Sequence, residues 1–309
     1  MKVVDISKHN GIINFSVLKK YTNNVIIRCG YGDDITSQDD ERFIRNIESA
    51  LYYGFNVGVY FYSYLGITNN VESEYNHLIR LVKPYKNRLT LPLFIDCEES
   101  LYCGENVHKL INKLKKDGYY VGIYCNQNYI NNSTLKNYFN FYNGKNEKIF
   151  YWIARYSDLE PYGCKYDLWQ YTEKGTIDGL NGLFDISIMN DNIPSIIDND
   201  RYRILAKEIW LGKWGNGAKR KENLQKAGYS WEIAQIYVNK GRWWKMRDIL
   251  ELCCQYGFPM VMCLLIYFEN NKTIESLKES INKNTSTMEK ILLEVMKHDM
   301  PWNSVTVIC

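Results

Sequence analysis

Leu91-Pro92-Leu93-Phe94-Ile95-Asp96-Cys97-Glu98 is a short apolar run closed by two carboxylates. A run this short, bounded by polar residues, reads as a buried parallel strand. Similar runs rich in Val, Ile, Tyr and Phe occupy residues 3–6, 24–29, 56–62, 119–124, 149–154 and 166–170. Helix-like stretches at 40–53, 71–81 and 107–116 lie between several of them, with Gly54 and Gly118 placed to cap the first and last. Repeated strand–helix alternation predicts an α/β barrel. From residue 149 onward the strands stand too close for full helices between them, so the barrel is expected to be irregular in its second half.

In such barrels, reactive side chains collect at the C-terminal ends of the strands. Asp5 closes the first run, Asp96 and Glu98 close the quoted one, and Asp185 follows Gly182-Leu183-Phe184. On an extended strand, i and i+2 carboxylates share a face, about 7 Å apart at their Cα atoms. Two such groups cannot both ionise cheaply, so one is driven to keep its proton. A protonated carboxyl beside an ionised one is what glycosidic bond cleavage needs.

Eight strings, in order, resemble the glycoside hydrolase family 25 lysozymes of phage endolysins and bacterial autolysins. They are Val4-Asp5-Ile6-Ser7-Lys8-His9-Asn10-Gly11, Val25-Ile26-Ile27-Arg28-Cys29-Gly30-Tyr31-Gly32, Val57-Gly58-Val59-Tyr60-Phe61-Tyr62-Ser63 and Leu93-Phe94-Ile95-Asp96-Cys97-Glu98. Val121-Gly122-Ile123-Tyr124, Tyr151-Trp152-Ile153-Ala154-Arg155-Tyr156, Leu168-Trp169-Gln170-Tyr171-Thr172 and Gly182-Leu183-Phe184-Asp185 complete the set. The resemblance implies an irregular barrel of eight strands with few helices. It also implies cleavage of the β-1,4 bond between N-acetylmuramic acid and N-acetylglucosamine, without a cofactor. By position, Glu98 matches the family's general acid, Asp96 its second carboxylate, Asp5 and Asp185 two further acids, and Tyr62 a tyrosine near the reacting sugar. Arg28 and Tyr124, inside matched strings, are further substrate-binding candidates, and Trp152 and Trp169 are either sugar platforms or barrel core. Phe61, where relatives often carry His, and Cys97, usually aliphatic, should both point out of the lumen by alternation. His9 is read as shaping the first loop.

Charge divides the chain further. Residues 201–245 hold eleven Lys or Arg against three Glu, a balance of +8, while the whole chain carries +3. A basic segment suits a polyanionic partner. Within it, Gly212-Lys213-Trp214-Gly215-Asn216-Gly217, Arg220, Ala227-Gly228-Tyr229 and Val238-Asn239 resemble the choline-independent cell-wall-binding repeat of phage lysozymes. Helical spacing at about 203–211, 218–226 and 231–239 predicts three short helices. Lys213 and Arg220 are candidates to hold a carboxylate, Arg220 bidentately. Trp214 and Tyr229 complete the candidate wall-binding set, with Trp214 either contact or core.

The expected organisation is therefore a catalytic barrel over 1–192, a linker over 193–201, a wall-binding repeat over 202–242 and a helical region of unassigned role over 243–309. The nine Cys and four His are scattered without a zinc spacing, so no metal is expected and the thiols read as reduced. The longest apolar run, 258–268, is too short to span a bilayer. Met1-Lys2-Val3-Val4 runs straight into Asp5, which reads as no signal peptide. The expectation is a protein made in a bacterial host's cytoplasm and acting on peptidoglycan after holin-dependent release, with neither nucleic acid nor membrane as partner. The competing readings are a non-catalytic wall binder on a decayed barrel, disfavoured by four intact acids, and a nucleic-acid binder, disfavoured by the lack of any helix-turn-helix or zinc pattern.

Overall fold

The computed structural model describes residues 1–141, 149–190 and 192–240. The expectations for 243–309, including the run 258–268, lie outside the described residues. Eight strands close a barrel in sequence order: β1 (Lys2–Ile6), β2 (Asn24–Tyr31), β3 (Asn56–Tyr62), β4 (Leu93–Asp96), β5 (Val121–Asn126), β6 (Ile149–Ala154), β7 (Leu168–Gly175) and β8 (Phe184–Met189). The helices are α1 (Phe15–Tyr21), α2 (Phe43–Tyr52), α3 (Val71–Val82), α4 (Gly104–Lys116), α5 (Gln127–Ile130), α6 (Ile193–Trp210) and α7 (Gly217–Lys226). Residues 231–240 are also helical. Gly54 and Gly118, at φ 69° and 77°, take the left-handed conformation that lets the chain leave α2 and α4 without a Cβ clash.

Strands β1 to β7 pair in parallel with their sequence neighbours, whereas β8 runs antiparallel to both β7 and β1. The reversal follows from length. Only residues 176–183 separate β7 from β8, too few for a crossover helix but enough for a hairpin. This eighth strand is absent from the apolar runs because its lumen-facing side is polar, with Asp185 and Ser187.

Pleating assigns each strand residue to the lumen or to the outer layer. Val4, Ile6, Val25, Ile27, Val57, Val59, Leu93, Ile95, Val121, Ile123 and Ile153 point outward into one apolar cluster with Phe43, Ile47, Leu78, Leu110 and Leu114 of the helices. Phe61 and Cys97 belong to it as the alternation predicted; Phe61 packs edge-on to buried His77 of α3, centroids 5.2 Å apart. The lower lumen holds a second cluster of Val3, Ile26, Phe94, Tyr124, Trp152, Leu168 and Met189, sealed by Ile193 and Ile197 of α6. Residues 193–201, read above as a linker, are thus the first half of a helix, and Ile193 and Ile197 close the barrel floor.

By its contacts the described chain forms two compact units, residues 1–204 with 214–231, and residues 205–213 with 232–240. Among the described residues, no helix is long and apolar enough to cross a membrane.

Gly122 shows how tightly the lumen is filled. A Cβ there would lie 2.3 Å from the Phe94 ring and 2.7 Å from the Phe150 carbonyl oxygen. Gly122→Ala is expected to cost about 1–3 kcal/mol, the range for overpacking a core. Urea denaturation measures it, and an unchanged midpoint would contradict this packing.

Candidate active site

The upper lumen is polar because every lumen-facing position above the aromatic layer carries a hydrogen-bonding group, except Ala154 of β6. Asp5 of β1 pairs directly with Asp185 of β8 across the antiparallel ladder. Asp96 of β4 lies level with Tyr62 of β3 and Tyr124 of β5. Arg28 of β2 lies level with Tyr60 of β3. Gln170 of β7 reaches across the lumen, its amide Nε2 donating to Asp5 Oδ2 at 3.0 Å and its Oε1 accepting from the Tyr124 hydroxyl at 2.7 Å. The four acids named from sequence therefore meet at one end of one lumen.

Asp96 and Glu98 differ from the expectation in one respect. Strand β4 stops at Asp96, and Glu98 lies two residues beyond it, exposed, while Asp96 is enclosed. The cause is local. The Glu98 backbone N–H bonds to the Asp96 carboxylate, drawing the chain into a turn and out of the ladder. Glu98 is thereby held just beyond the strand end, close enough for its charge to act on Asp96.

Their electrostatics follow from this placement. Burial pushes Asp96 well above the usual carboxyl range, and the neighbouring Glu98 charge adds to it, opposed by Arg28. Desolvation also raises Glu98, opposed by a hydrogen bond from Tyr62 and reinforced by Glu99 and Glu173. Glu99 Oε1, 3.3 Å from the same Tyr62 hydroxyl, competes for its single proton. Enclosure and the adjacent Asp185 hold Asp5 well above its ordinary value, and desolvation lifts Asp185 to about 6. Like charges in low dielectric thus disfavour ionising both members of either pair. Asp96 Oδ1 is buried and has no hydrogen-bond partner among the described residues.

The remaining candidates separate by face. Tyr62 and Tyr124 line the site. Arg28 is held by Asp40, Nε to Oδ2 at 2.9 Å, and acts on Asp96 by its charge. Trp152 does not line it. The indole is 2% exposed beneath Tyr124, enclosed by Tyr60, Phe94 and Tyr124 rings, and its Nε1 donates to Ser187 Oγ at 2.9 Å. Trp169 is excluded by alternation. Its neighbours Leu168 and Gln170 point inward, so its ring lies on the outer face beside Tyr171, 6% exposed, with Nε1 donating to the Arg155 carbonyl at 2.8 Å. Both tryptophans are packing residues. His9 is exposed, in a short turn capped by Ser7.

Gln170, Tyr60 and Tyr156 were missed. Gln170 stood in the sequence in phase with Leu168, between Trp169 and Tyr171, and Tyr60 in phase with Tyr62. Glu74 of α3 was missed because helical spacing gives no sign that a Glu points inward. It is fully buried, accepting from Ser63 Oγ at 2.9 Å and from the Tyr64 backbone N–H. It thereby ties down the loop after β3. That loop lies against the acid-bearing turn so closely that a Cβ on Gly66 would fall 1.8 Å from the Glu99 carbonyl oxygen.

In the basic segment, Trp214 packs edge-on to Tyr229 at 5.6 Å, and the Tyr229 hydroxyl donates to Asn87 Oδ1 at 3.2 Å. Arg220 spends two donors on its own loop, Nε on the Gly215 carbonyl and Nη2 on Asn216 Oδ1, each at 2.8 Å. Lys213 is exposed, 3.6 Å from Glu208.

Residues 4–180 match the model of glycosyl hydrolases family 25, and residues 204–241 match that of the CW_7 repeat. Among solved structures, the catalytic domain of the endolysin ply40 from bacteriophage P40 of Listeria monocytogenes is 26% identical, covering 64% of this chain and 96% of that one, with a TM-score of 0.53. A bacterial lysozyme from Streptomyces coelicolor is 22% identical over 64% of this chain and 97% of its own, TM-score 0.53. A family 25 lysozyme from Aspergillus fumigatus is 20% identical over 63% and 96%, TM-score 0.51. None of the curated proteins compared matches the chain.

Glu74 provides a test of how the site is supported. Burial raises its carboxyl from 4.5 to about 8. Between those values the folded protein keeps a proton that the unfolded chain has released. Its contribution to stability is therefore fully present below about 4.5 and is lost as pH rises toward 8. Gln fits the same place, accepting from Tyr64 N–H and donating to Ser63 Oγ, and does not titrate. Glu74→Gln should leave stability near pH 5 little changed and raise it at pH 8 by on the order of 1–3 kcal/mol. Melting curves across that range decide it. A wild-type-minus-variant difference that stays flat with pH would refute a buried protonated Glu74.

Proposed function

The chain belongs to family 25 of the glycosyl hydrolases, and from that premise we propose that it cleaves the β-1,4 bond between N-acetylmuramic acid and N-acetylglucosamine with retention, Glu98 acting as general acid and then base. Its class is a lysozyme-type glycosidase acting on peptidoglycan, with a CW_7 repeat after the barrel. The observation that carries the finer reading is the buried, unpartnered Asp96 Oδ1 near Glu98. A carboxylate oxygen enclosed without a donor is costly. The acetamido N–H beside the reacting carbon of the substrate is the donor that fits.

A bound acetamido N–H would stabilise the ionised form of Asp96 and leave a proton on Glu98. Glu98 then protonates the leaving glycosidic oxygen as that bond breaks. The acetamido carbonyl oxygen bonds to the anomeric carbon from the opposite face, and Asp96 stabilises the resulting positive charge through its N–H. Water next attacks the anomeric carbon, giving its proton to Glu98, as the bond from the acetamido oxygen to that carbon breaks. Two inversions leave the β configuration. The basic CW_7 segment is proposed to hold the enzyme on the wall, with Lys213, Trp214 and Tyr229 as contacts and Arg220 chiefly shaping the loop that presents them. Release by a holin completes the proposal.

Glu98→Gln keeps shape but cannot donate an acid proton, so turnover on purified walls should fall by about 10²–10⁴-fold with the circular dichroism unchanged. Mass spectrometry of wild-type digests should find new reducing ends on N-acetylmuramic acid. Free stem peptides or reducing N-acetylglucosamine as the main product would overturn the bond assignment. The stereochemistry is read separately, by proton NMR before mutarotation. A first-formed β anomer is expected, an α anomer would exclude both acetamido assistance and a nucleophilic Asp96, and a trapped glycosyl adduct on Asp96 would exclude assistance alone.

A further inference from the structure

We propose that Glu99 is a positioning residue for the glycosidase reaction: its carboxylate draws the single hydroxyl proton of Tyr62 away from Glu98, so that Glu98 keeps its own proton for the leaving oxygen. The proposal rests on the reading of Glu98 as the general acid and gives a role to the carboxyl beside it.

A phenol has one proton to donate. Two carboxyls are placed to take it from Tyr62. Glu98 accepts a hydrogen bond from that hydroxyl, and Glu99 Oε1 lies 3.3 Å from it. The backbone builds this competition in. Ser63 N–H, next to Tyr62, donates to the Asp96 carbonyl at 3.0 Å. At the far end of the acid-bearing turn, Cys103 N–H donates to the Ser100 carbonyl at 3.0 Å. The loop after β3 presses on Glu99 itself, because Gly66 leaves no room for a Cβ against the Glu99 carbonyl. Glu74 fixes that loop through Ser63 and Tyr64. Tyr62 and Glu99 are thus held within reach of each other by groups that take no part in their hydrogen bond.

Stability does not account for the arrangement. Among the described residues Glu99 forms no ion pair, and Tyr62 is the hydrogen-bond partner of its side chain. It stands instead beside a second carboxyl, where like charges repel. The surroundings of Glu98 make Tyr62 decisive. Asp96 (β4), Glu99 (the turn after β4), Glu173 (β7) and Asp185 (β8) are the acids around it, with the phenols of Tyr62 (β3), Tyr124 (β5) and Tyr156 (after β6). The Cys125 thiol (β5) feels the Glu98 charge from the outer layer. Arg28 (β2) and Asp5 (β1) act on Asp96. Of these groups, Tyr62 is the one whose hydrogen bond favours ionised Glu98. A hydroxyl turned to Glu99 withdraws that support, and the Glu99 charge adds repulsion in the same direction. Both effects keep the proton on Glu98.

The test is carboxyl ¹³C titration of the full chain labelled at glutamate, with the Glu98 signal assigned by its absence in Glu98→Gln. Beside it, the pH dependence of kcat/KM is measured on soluble, uncrosslinked glycan strands, where the basic limb reports the acid of the free enzyme. Glu99→Gln keeps the shape, removes the charge and offers Tyr62 a weaker acceptor. The Glu98 midpoint and the basic limb should both fall by about 0.5–1 pH unit, so that kcat/KM on that limb drops about three- to tenfold. The melting temperature should hold or rise, since a repulsion is lost; a residue that only packs would lower it and leave the midpoint in place. Tyr62→Phe removes the contested proton. In that background Glu99→Gln should move the midpoint by about half as much or less, because charge alone remains. An equal shift with and without the Tyr62 hydroxyl overturns the competition for its proton, and an unmoved midpoint overturns the whole proposal. A shifted midpoint with an unmoved basic limb overturns its catalytic part. If the wild type releases no muramic reducing ends, the underlying functional reading fails instead, and the titration still reports on the proton.

Discussion

Closure of eight pleated strands is the constraint on which everything else depends. Once the sheet closes, each strand residue has two possible surroundings, the lumen or the layer beneath the helices, and alternation leaves no third. The outer set is almost wholly aliphatic, and the lumen grades from Val3, Ile26, Phe94 and Trp152 at the floor to Asp5, Asp96, Tyr124 and Gln170 at the mouth. The apolar floor supports the carboxylates and keeps water from beneath them. Their raised proton affinities follow from the architecture, because groups at the top of a packed lumen lose solvation on every side but one.

What was legible in the sequence was whatever alternation and strand ends encode. The seven apolar runs stand out because parallel strands covered on one side by helices and on the other by aromatics have no polar face. Phe61 and Cys97 could be placed outward from their phase relative to Tyr62, Asp96 and Glu98. The acids could be found because a carboxylate at the end of an apolar strand has few other reasons to be there. The eighth strand was hidden by its polar inward side, and α6 by Asp and Pro residues that resemble a linker, although Ile193 and Ile197 seal the floor.

The tryptophans and Gln170 show where such reading stops. Large aromatic rings in matched strings invite assignment as sugar platforms, yet Trp152 sits one layer too deep and Trp169 on the wrong face. Gln170, between Trp169 and Tyr171, attracts no notice by residue type. It meets Asp5 from 165 residues away, and such a pairing becomes visible only when the barrel is closed. Glu74 is similar, its partners Ser63 and Tyr64 lying on a different element.

The antiparallel β8 bears on how such an enzyme comes into being. It is the last piece of the barrel to be synthesised, and it pairs with the first, setting Asp185 against Asp5. Contacts of such sequence separation form late and slowly. A chain growing on the ribosome therefore carries Asp96 and Glu98 long before it has a closed lumen to enclose them. Assembly of the carboxylate set and closure of the barrel are therefore one event.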